Sequence, residues 1–189
     1  MLSQLRASLV SIIFFVVLTG LLYPLAITGI GQVAFPHQAN GSLIRLTGGR
    51  IVGSQLIAQA FAGAGYLHPR GSSAGNGYDA TNSSASNLGP MDPKLKDRVA
   101  KDAAALRAEN PDVEIPADAV TQSGSGLDPD VSPENAAFQA PRIARARDLP
   151  LSSVQAVIAR NTHGPALGFI GQPYVNVLAV NLALDGHAQ

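Results

Sequence analysis

The chain opens with one long apolar stretch. From position 7 to position 39 it carries no Asp, Glu, Lys or Arg, and Leu9–Ile30 reads LVSIIFFVVLTGLLYPLAITGI. At about 1.5 Å of rise per residue, a helix of this length spans roughly 33 Å, enough to cross a hydrocarbon core of about 30 Å. The pattern predicts a transmembrane helix at 9–30, after a short N-terminus at 1–8 and before a junction at 31–39.

Two residues bear on the topology and shape of this helix. Arg6 and the amino terminus precede it, which favours a cytoplasmic N-terminus and a main domain outside the cytoplasm. Pro24 lacks an N–H, so it should kink or locally unwind the helix. A secretory signal cleaved around Gly29–Gly31 is the alternative to a permanent anchor, although such signals usually have shorter apolar regions.

Residues 40–189 form the main domain, which is large enough to bury a core. Ser42–Leu46 and Arg50–Gly53 flank Thr47-Gly48-Gly49, a pattern that predicts a β-hairpin. The following segment, Gln55–Phe61, indicates a short helix or strand with Leu56, Ile57 and Phe61 directed inward.

Three helices are predicted in the middle of the domain. Asp92–Glu109 has apolar residues on one face, with Pro93 in the first turn and Asn110-Pro111 ending the helix. Ser132 is placed to cap a second helix that runs to Arg147, which Pro141 should kink or restart. Ser152 and Gln155 have capping-box spacing for a third helix. That helix directs Val154, Val157 and Ile158 inward.

Two strands are predicted at the C-terminal end. They are Leu167–Ile170 and Tyr174–Leu184, joined by Gly171-Gln172-Pro173, and the second alternates its side chains between two faces. Strands at both ends of the domain, with about three helices between them, define an α+β fold class.

Composition excludes several functions. Thirteen basic and thirteen acidic residues cancel, so no charge excess favours nucleic-acid binding. Cysteine is absent, which rules out disulfides, thiolate catalysis and cysteine-ligated zinc. The four histidines are scattered without metal-ligand spacing, so no metal site is expected. Asp128-Pro129-Asp130 resembles the start of a calcium loop but lacks its glycine and its closing glutamate.

Residues 66–90, YLHPRGSSAGNGYDATNSSASNLGP, have the composition of a flexible linker. Their Asn and Ser side chains can nevertheless hydrogen-bond the local backbone and order a long loop. Arg70 and Asp79 would pair if the loop folded back on itself. Long ordered loops are often functional, and a solvated connection is the alternative. The candidate residues of this interaction loop are His68, Pro69, Arg70, Tyr78, Asp79, Ser83, Ser84 and Asn87.

A second loop, TQSGSGLDPDVSPE at 121–134, is rich in Gly and Ser and precedes a capped helix. Such a loop can offer backbone N–H groups to an anion, but the lysine of a phosphate-binding loop is missing. A tight structural loop, with Asp128 as turn residue and Ser132 as cap, accounts for the same residues.

Several long motifs together resemble one family. They are FPHQANGSL, GSQLIAQAF, the stretch at 66–90, VTQSGSGLDPDVSPENAAFQAPRIARAR and GQPYVNVLAVNLAL, after a helix that contains Tyr23-Pro24-Leu25. In order and spacing the chain is similar to the C subunit of the bacterial potassium-transporting Kdp ATPase. Gly71 departs from the family, which commonly has proline there, and should loosen the local backbone.

The resemblance implies a non-catalytic accessory subunit of an ATP-driven potassium uptake complex. Its partners would be a channel-like potassium-binding A subunit, a P-type ATPase B subunit, a small F subunit and the lipid bilayer of the bacterial inner membrane. The family is described as a catalytic chaperone that raises the ATP affinity of the B subunit. No cofactor of the chain itself is expected, and ATP would act through the complex.

The resemblance also likens Gln122, Ser123, Gly124, Ser125 and Gly126 to an ABC-transporter signature, and so to nucleotide binding. A domain outside the cytoplasm meets essentially no ATP, so direct contact would require the opposite orientation.

Two further hypotheses stay open. One is an anchored extracytoplasmic serine hydrolase using Ser125 or a serine in 72–86, although no nucleophile elbow is present. The other is a domain that gates potassium through Tyr78 and Asp79.

Overall fold

A computed structural model describes residues 2–46 and 48–187, with the side chains from residue 4 onward. The chain divides into two units at Leu43/Ile44, and each is described by itself. The elements of the first are α1 (Leu2–Val17), a π-helical turn (Leu18–Leu22), α2 (Tyr23–Ala34) and α3 (Pro36–Ala39).

The helical segment Gln4–Ala34 spans 31 residues with a mean hydropathy of 2.4, long and apolar enough to cross a membrane. Its large side chains are exposed along its whole length, as expected for a surface that faces lipid. The expected local unwinding at Pro24 is confirmed as the π turn just before it, in which Tyr23 N–H donates to the carbonyl of Leu18. Thr19 Oγ1 additionally donates to the carbonyl of Phe15 at 2.7 Å.

The second unit is a mixed α+β domain, which confirms the predicted class. Its elements in chain order are β1 (Leu43–Arg45), β2 (Ile51–Ser54), α4 (Pro93–Glu109), α5 (Ala117–Val120), β3 (Asp130–Val131), α6 (Pro133–Arg147), α7 (Leu151–Arg160), β4 (Thr162–His163), β5 (Tyr174–Asn176) and α8 (Val177–Leu184). Strands β1 and β2 pair with each other, and β5 lies between β3 and β4. Both of its pairings are antiparallel.

The predicted hairpin is confirmed as β1 and β2. Gly48 and Gly49 both adopt positive φ, 99° and 81°, a conformation that glycine reaches without steric cost. The first residue of the predicted turn, Thr47, lies outside the described residues.

The core of the domain is formed by α6, α7, α8 and the strand β5. It contains Leu67, Val131, Ala136, Ala140, Ile143, Ala144, Val154, Ile158, Val175, Val177 and Val180. A smaller cluster joins Ile44 of β1 to Leu178 and Leu182 of α8. Both clusters therefore depend on α8, whose apolar side chains are buried on more than one side.

Capping explains where the predicted helices begin. Asp92 accepts the N–H of Lys94 at the start of α4, and Ser132 accepts the N–H of Asn135 at the start of α6.

The predicted restart at Pro141 is wrong, because α6 runs unbroken through it. The predicted capping box is also wrong: α7 begins at Leu151 without a side-chain cap, so Ser152 lies inside it. Its predicted inward face is confirmed, because Val154 and Ile158 are buried.

Two of the predicted elements are absent from the described structure. Gln55–Phe61 is irregular, and Leu56 is exposed while Ala58 is buried. Leu167–Ile170 is a turn closed by a single bridge between Ala166 and Ile170.

The predicted strand Tyr174–Leu184 is three residues of strand followed by a helix. Asn176 ends the strand because its Oδ1 accepts the N–H of Ala179 at 3.0 Å and so begins α8. The run from Val177 to Leu184 is buried on several faces, and an apolar run buried all round gives no periodicity that distinguishes a helix from a strand.

Candidate functional site

Residues 55–92 lie in neither helix nor strand, so their backbone must find other hydrogen-bond partners. Five consecutive carbonyls, 64 to 68, each accept a hydrogen bond from a side chain of α6 or α8. The donors are Arg142 to Ala64 and Tyr66, Arg147 to Gly65, Asn181 to Leu67, and Gln139 to His68, at 2.5–3.1 Å. The interaction loop is therefore ordered from its first residues by helices distant in sequence.

Two buried amide side chains each bond both the N–H and the carbonyl of one loop residue. Asn181, 1% exposed, accepts the N–H of Leu67 at 2.7 Å and donates to its carbonyl at 2.9 Å. Gln139 does the same for His68, at 2.9 and 3.1 Å. Each amide replaces the pair of bonds that a neighbouring strand would supply. Leu67, fully buried, is thereby fixed in the main core.

Arg147 ties the start of the loop to the end of α8. Its Nη2 lies 2.7 Å from Asp185 Oδ1, and its guanidinium lies 4.8 Å from the ring centre of Tyr66. Tyr66 in turn donates from its hydroxyl to Asp185 Oδ2 at 3.1 Å. The ion pair and the cation–π contact share the Arg147 guanidinium, and Tyr66 and Asp185 are also bonded to each other, so the three contacts support one another.

The expected pairing of Arg70 with Asp79 is wrong. Arg70 Nη1 lies 3.0 Å from Asp128 Oδ2 of the second loop, and its Nη2 donates to the carbonyl of Gln122 at 3.2 Å. Asp79 accepts instead from the N–H and hydroxyl of Thr81, which lowers its pKa. Asp79 is occupied by a local turn, the usual behaviour of aspartate in loops.

The remaining predicted residues shape the loop or join it to its neighbour. Tyr78 donates from its hydroxyl to the carbonyl of Arg70 at 2.9 Å, and Ser83 Oγ donates to the carbonyl of Ser125 at 2.9 Å. The N–H of Ser84 donates to the same Ser125 carbonyl at 3.1 Å. Asn87 is exposed and, like Tyr78, has positive φ, 52° and 56°. Pro69 lines a cavity described below.

The serine-glycine segment 122–126 packs against the interaction loop. Gln122 Oε1 accepts from Ser73 Oγ at 2.6 Å and from Arg98 Nη1 at 2.5 Å. Ser72 Oγ donates to the carbonyl of Gly126 at 2.6 Å, and the N–H of Ser123 donates to the carbonyl of Gly71 at 3.3 Å. The two loops that sequence motifs single out are thus one hydrogen-bonded unit.

At Gly126 the two loops pack closely against each other. Its φ is +69°, and a Cβ there would lie 2.7 Å from both Ala74 N and Ser84 O. By contrast, a Cβ at Gly124 would meet nothing within 4 Å. Of the two glycines in the segment 122–126, Gly126 therefore requires glycine for packing and Gly124 does not.

A cavity of about 470 Å³ lies beside the interaction loop, under α4. Its walls include His68, Tyr78, Leu106 of α4 and the ion pair between Glu109 and Arg142, whose nearest atoms are 2.9 Å apart. Burial lowers the pKa of His68, and the charge of Arg142 adds to this effect. Burial also raises the pKa of Tyr78. Both side chains are therefore held neutral at pH 7.

Nothing in the described residues assembles a hydrolytic or metal centre. Ser125 Oγ accepts the N–H of Leu127 at 3.1 Å and lies 3.4 Å from Ser123 Oγ, and no described histidine bonds to it. Among residues 2–46 and 48–187, no group of three His, Cys, Asp or Glu side chains could hold a metal ion.

The residues that hold the loop were missed by sequence reasoning. Gln139, Arg142 and Arg147 lie on α6, and Asn181 lies on α8. The available signal was a buried polar position inside an apolar helix, since such a group needs a specific partner. Asn181 in the run VLAVNLAL fits that description, but its partner is 114 positions away in the chain.

Among the described residues, one helix long and apolar enough to cross a membrane precedes an α+β domain whose loops bond to one another, which is the architecture of a membrane-anchored domain. A family model described as "K+-transporting ATPase, c chain" matches residues 5–186. The chain therefore belongs to this family, KdpC.

Its relatives agree over nearly the full length. A Caulobacter sp. (strain K31) protein is 64% identical over 185 residues, covering 98% of this chain and 94% of the relative. A Beijerinckia indica protein is 58% identical over 187 residues, covering 98% and 94%. One from Rhodopseudomonas palustris is 47% identical over 200 residues, covering 100% and 99%. Each is named "Potassium-transporting ATPase KdpC subunit".

Proposed function

We propose that this chain is the non-catalytic accessory subunit of an ATP-driven potassium uptake complex in the bacterial inner membrane. It joins a channel-like A subunit, a P-type ATPase B subunit and a small F subunit, and it stabilises their assembly. The observation that carries the proposal is the family match over residues 5–186. The internally bonded loops support it, because their polar groups are used to build a rigid surface.

The apolar helix sets the topology of the proposal. Arg6 lies in the first turns of the helix, ahead of its uncharged stretch, so the N-terminus is cytoplasmic and the α+β domain lies outside the cytoplasm. In that orientation the segment 122–126 meets no ATP. Its Ser123 and Gly126 N–H groups donate to the carbonyls of Gly71 and Ser123, which leaves neither free for a phosphate. Support of ATPase activity, including any rise in ATP affinity of the B subunit, is therefore indirect.

Growth tests the functional proposal. Deleting the gene for this chain should abolish growth at micromolar external potassium, and a plasmid copy should restore it. Growth at high potassium serves as the control, because other uptake routes suffice there. Undiminished growth of the deletion strain at micromolar potassium, with the remaining subunits still assembled, would overturn the proposal.

Labelling of single cysteines tests the topology, since the natural chain has no cysteine. Met91 is 92% exposed, so Met91→Cys offers a thiol that perturbs no packing. A membrane-impermeant thiol reagent should label it in intact cells. Gln4→Cys, at the N-terminal end of the apolar helix, should be labelled only after lysis. The reverse pattern would place the domain in the cytoplasm and make a direct nucleotide role for Gln122–Gly126 the better hypothesis.

A further inference from the structure

A short apolar turn protrudes from the domain between β4 and β5. We call residues 166–170, ALGFI, the apolar tip. Leu167 is 83% exposed, Phe169 77% and Ile170 53%. Contiguous exposure of three large apolar side chains is uncommon on a soluble surface and marks an interaction site.

Hydrogen bonds close the backbone of the apolar tip into a turn. Ala166 N–H donates to the carbonyl of Ile170 at 2.9 Å, and Ile170 N–H returns a bond of 2.9 Å to Ala166. Gly168 N–H donates to the carbonyl of Pro165 at 3.1 Å. At its base, His163 stacks on Tyr174 with ring centres 5.0 Å apart. A preformed turn loses little conformational freedom on binding, which favours affinity.

Leu167 is in a strained conformation that its own domain does not use. Its φ is +53°, in the left-handed region that Gly or Asn occupies more easily than leucine. Its side chain points into solvent, so no packing within the domain offsets this strain. Strain of this kind persists at sites where function requires the side chain.

We propose that the apolar tip inserts into an uncharged apolar pocket on a membrane-embedded protein subunit of the same complex. This inference rests on the proposed function and adds the surface through which the domain engages its partner. The absence of charged residues along the segment that carries the tip favours a protein pocket over an anionic lipid surface. Residues 161–184 contain no Asp, Glu, Lys or Arg, whereas segments that bind membrane surfaces pair apolar residues with Lys and Arg.

The area argues for a partner that is already held nearby. At their exposed fractions the three side chains present roughly 400 Å², since an aromatic side chain has about 150–250 Å² and Leu and Ile have less. A stable free-standing interface needs about 800 Å² from each side, so the tip alone cannot hold a soluble partner. A subunit in the same membrane is kept at high effective concentration by the apolar helix, and a small contact then suffices.

Co-purification tests the insertion. In cells that make the whole complex, recovery of this chain through a tag on another subunit is compared for the natural chain and for Leu167→Asn. Asn tolerates φ of +53°, so the variant should melt at the same temperature or higher, yet its affinity should fall about tenfold or more. Phe169→Ser should lose as much. Met91→Asn, at an equally exposed apolar residue, should be recovered normally.

Photo-crosslinking identifies the occupant. A photoreactive amino acid at Phe169 should form an adduct with a protein subunit of the complex, and the same group at Met91 should not. Adducts with lipid only, with a second copy of this chain only, or with nothing would overturn the proposal. Normal recovery of both tip variants would overturn it too, while the proposed function would stand. Failure of the natural chain to co-purify with any subunit would remove both.

Discussion

Replacing Asn181 with alanine tests the idea that side chains hold the interaction loop in place. The change leaves the N–H and the carbonyl of Leu67 buried without partners, since Asn181 supplies both bonds at 2.7 and 2.9 Å. Each unsatisfied buried group costs about 1–3 kcal/mol, so the free energy of unfolding should fall by roughly 2–6 kcal/mol. Domains typically have about 5–15 kcal/mol in total.

Thermal unfolding measures this loss. For a chain of this size, about 2–4 °C of melting temperature corresponds to 1 kcal/mol, so Asn181→Ala should melt roughly 4–24 °C lower. Circular dichroism of the full chain in detergent micelles follows the transition. Hydrogen exchange should show loss of protection at Leu67 and His68 before the rest of the domain.

A matched asparagine supplies the control. Asn161 donates to the carbonyl of Val157 at 2.8 Å at the half-buried end of α7, and water can replace that bond. Asn161→Ala should therefore cost less than about 1 kcal/mol. Equal melting temperatures for Asn161→Ala and Asn181→Ala would refute the reasoning that the buried amide is what fixes the loop.

Two further predictions concern the same region. Gly126→Ala should destabilise the domain by about 2 kcal/mol or more, because its Cβ would collide with backbone, and it should raise protease sensitivity in 72–86. Gly124→Ala, whose Cβ meets nothing, should change the melting temperature little. The lowered pKa of His68 means that the unfolded chain binds a proton more readily, so stability should be full above pH 6.5 and fall below it. His68→Gln should flatten this fall in a melting series from pH 7 to pH 5; an unchanged slope would assign it to other groups.

Local sequence signals predicted the elements whose causes are local. Asp92 and Ser132 cap the helices they were expected to cap, and Gly48 and Gly49 form the expected turn. The C-terminal helix escaped prediction because VLAVNLAL is apolar at every position except Asn181 and so has no periodicity typical of a helix, although Asn176 accepts the N–H of Ala179 and begins the helix.

The candidate site was predictable only in part. The composition of residues 66–90 allowed order, but the partners that impose it lie far away in sequence. Arg70 is the clearest case. Asp79, which is closer in sequence, bonds to Thr81, whereas Arg70 forms its ion pair with Asp128, 58 positions away. Proximity along the chain favoured the wrong carboxylate, since tertiary packing sets which charges meet.

The five carbonyls 64–68 have a consequence for how such chains can change over generations. A strand paired with another strand can slip along it and make new bonds, but here each peptide is held by one side chain of fixed reach. Inserting or deleting one residue within 64–68 would displace every later bond at once. Related chains should therefore differ there in side chain but not in length, whereas the hairpin turn at 46–50 can gain or lose residues.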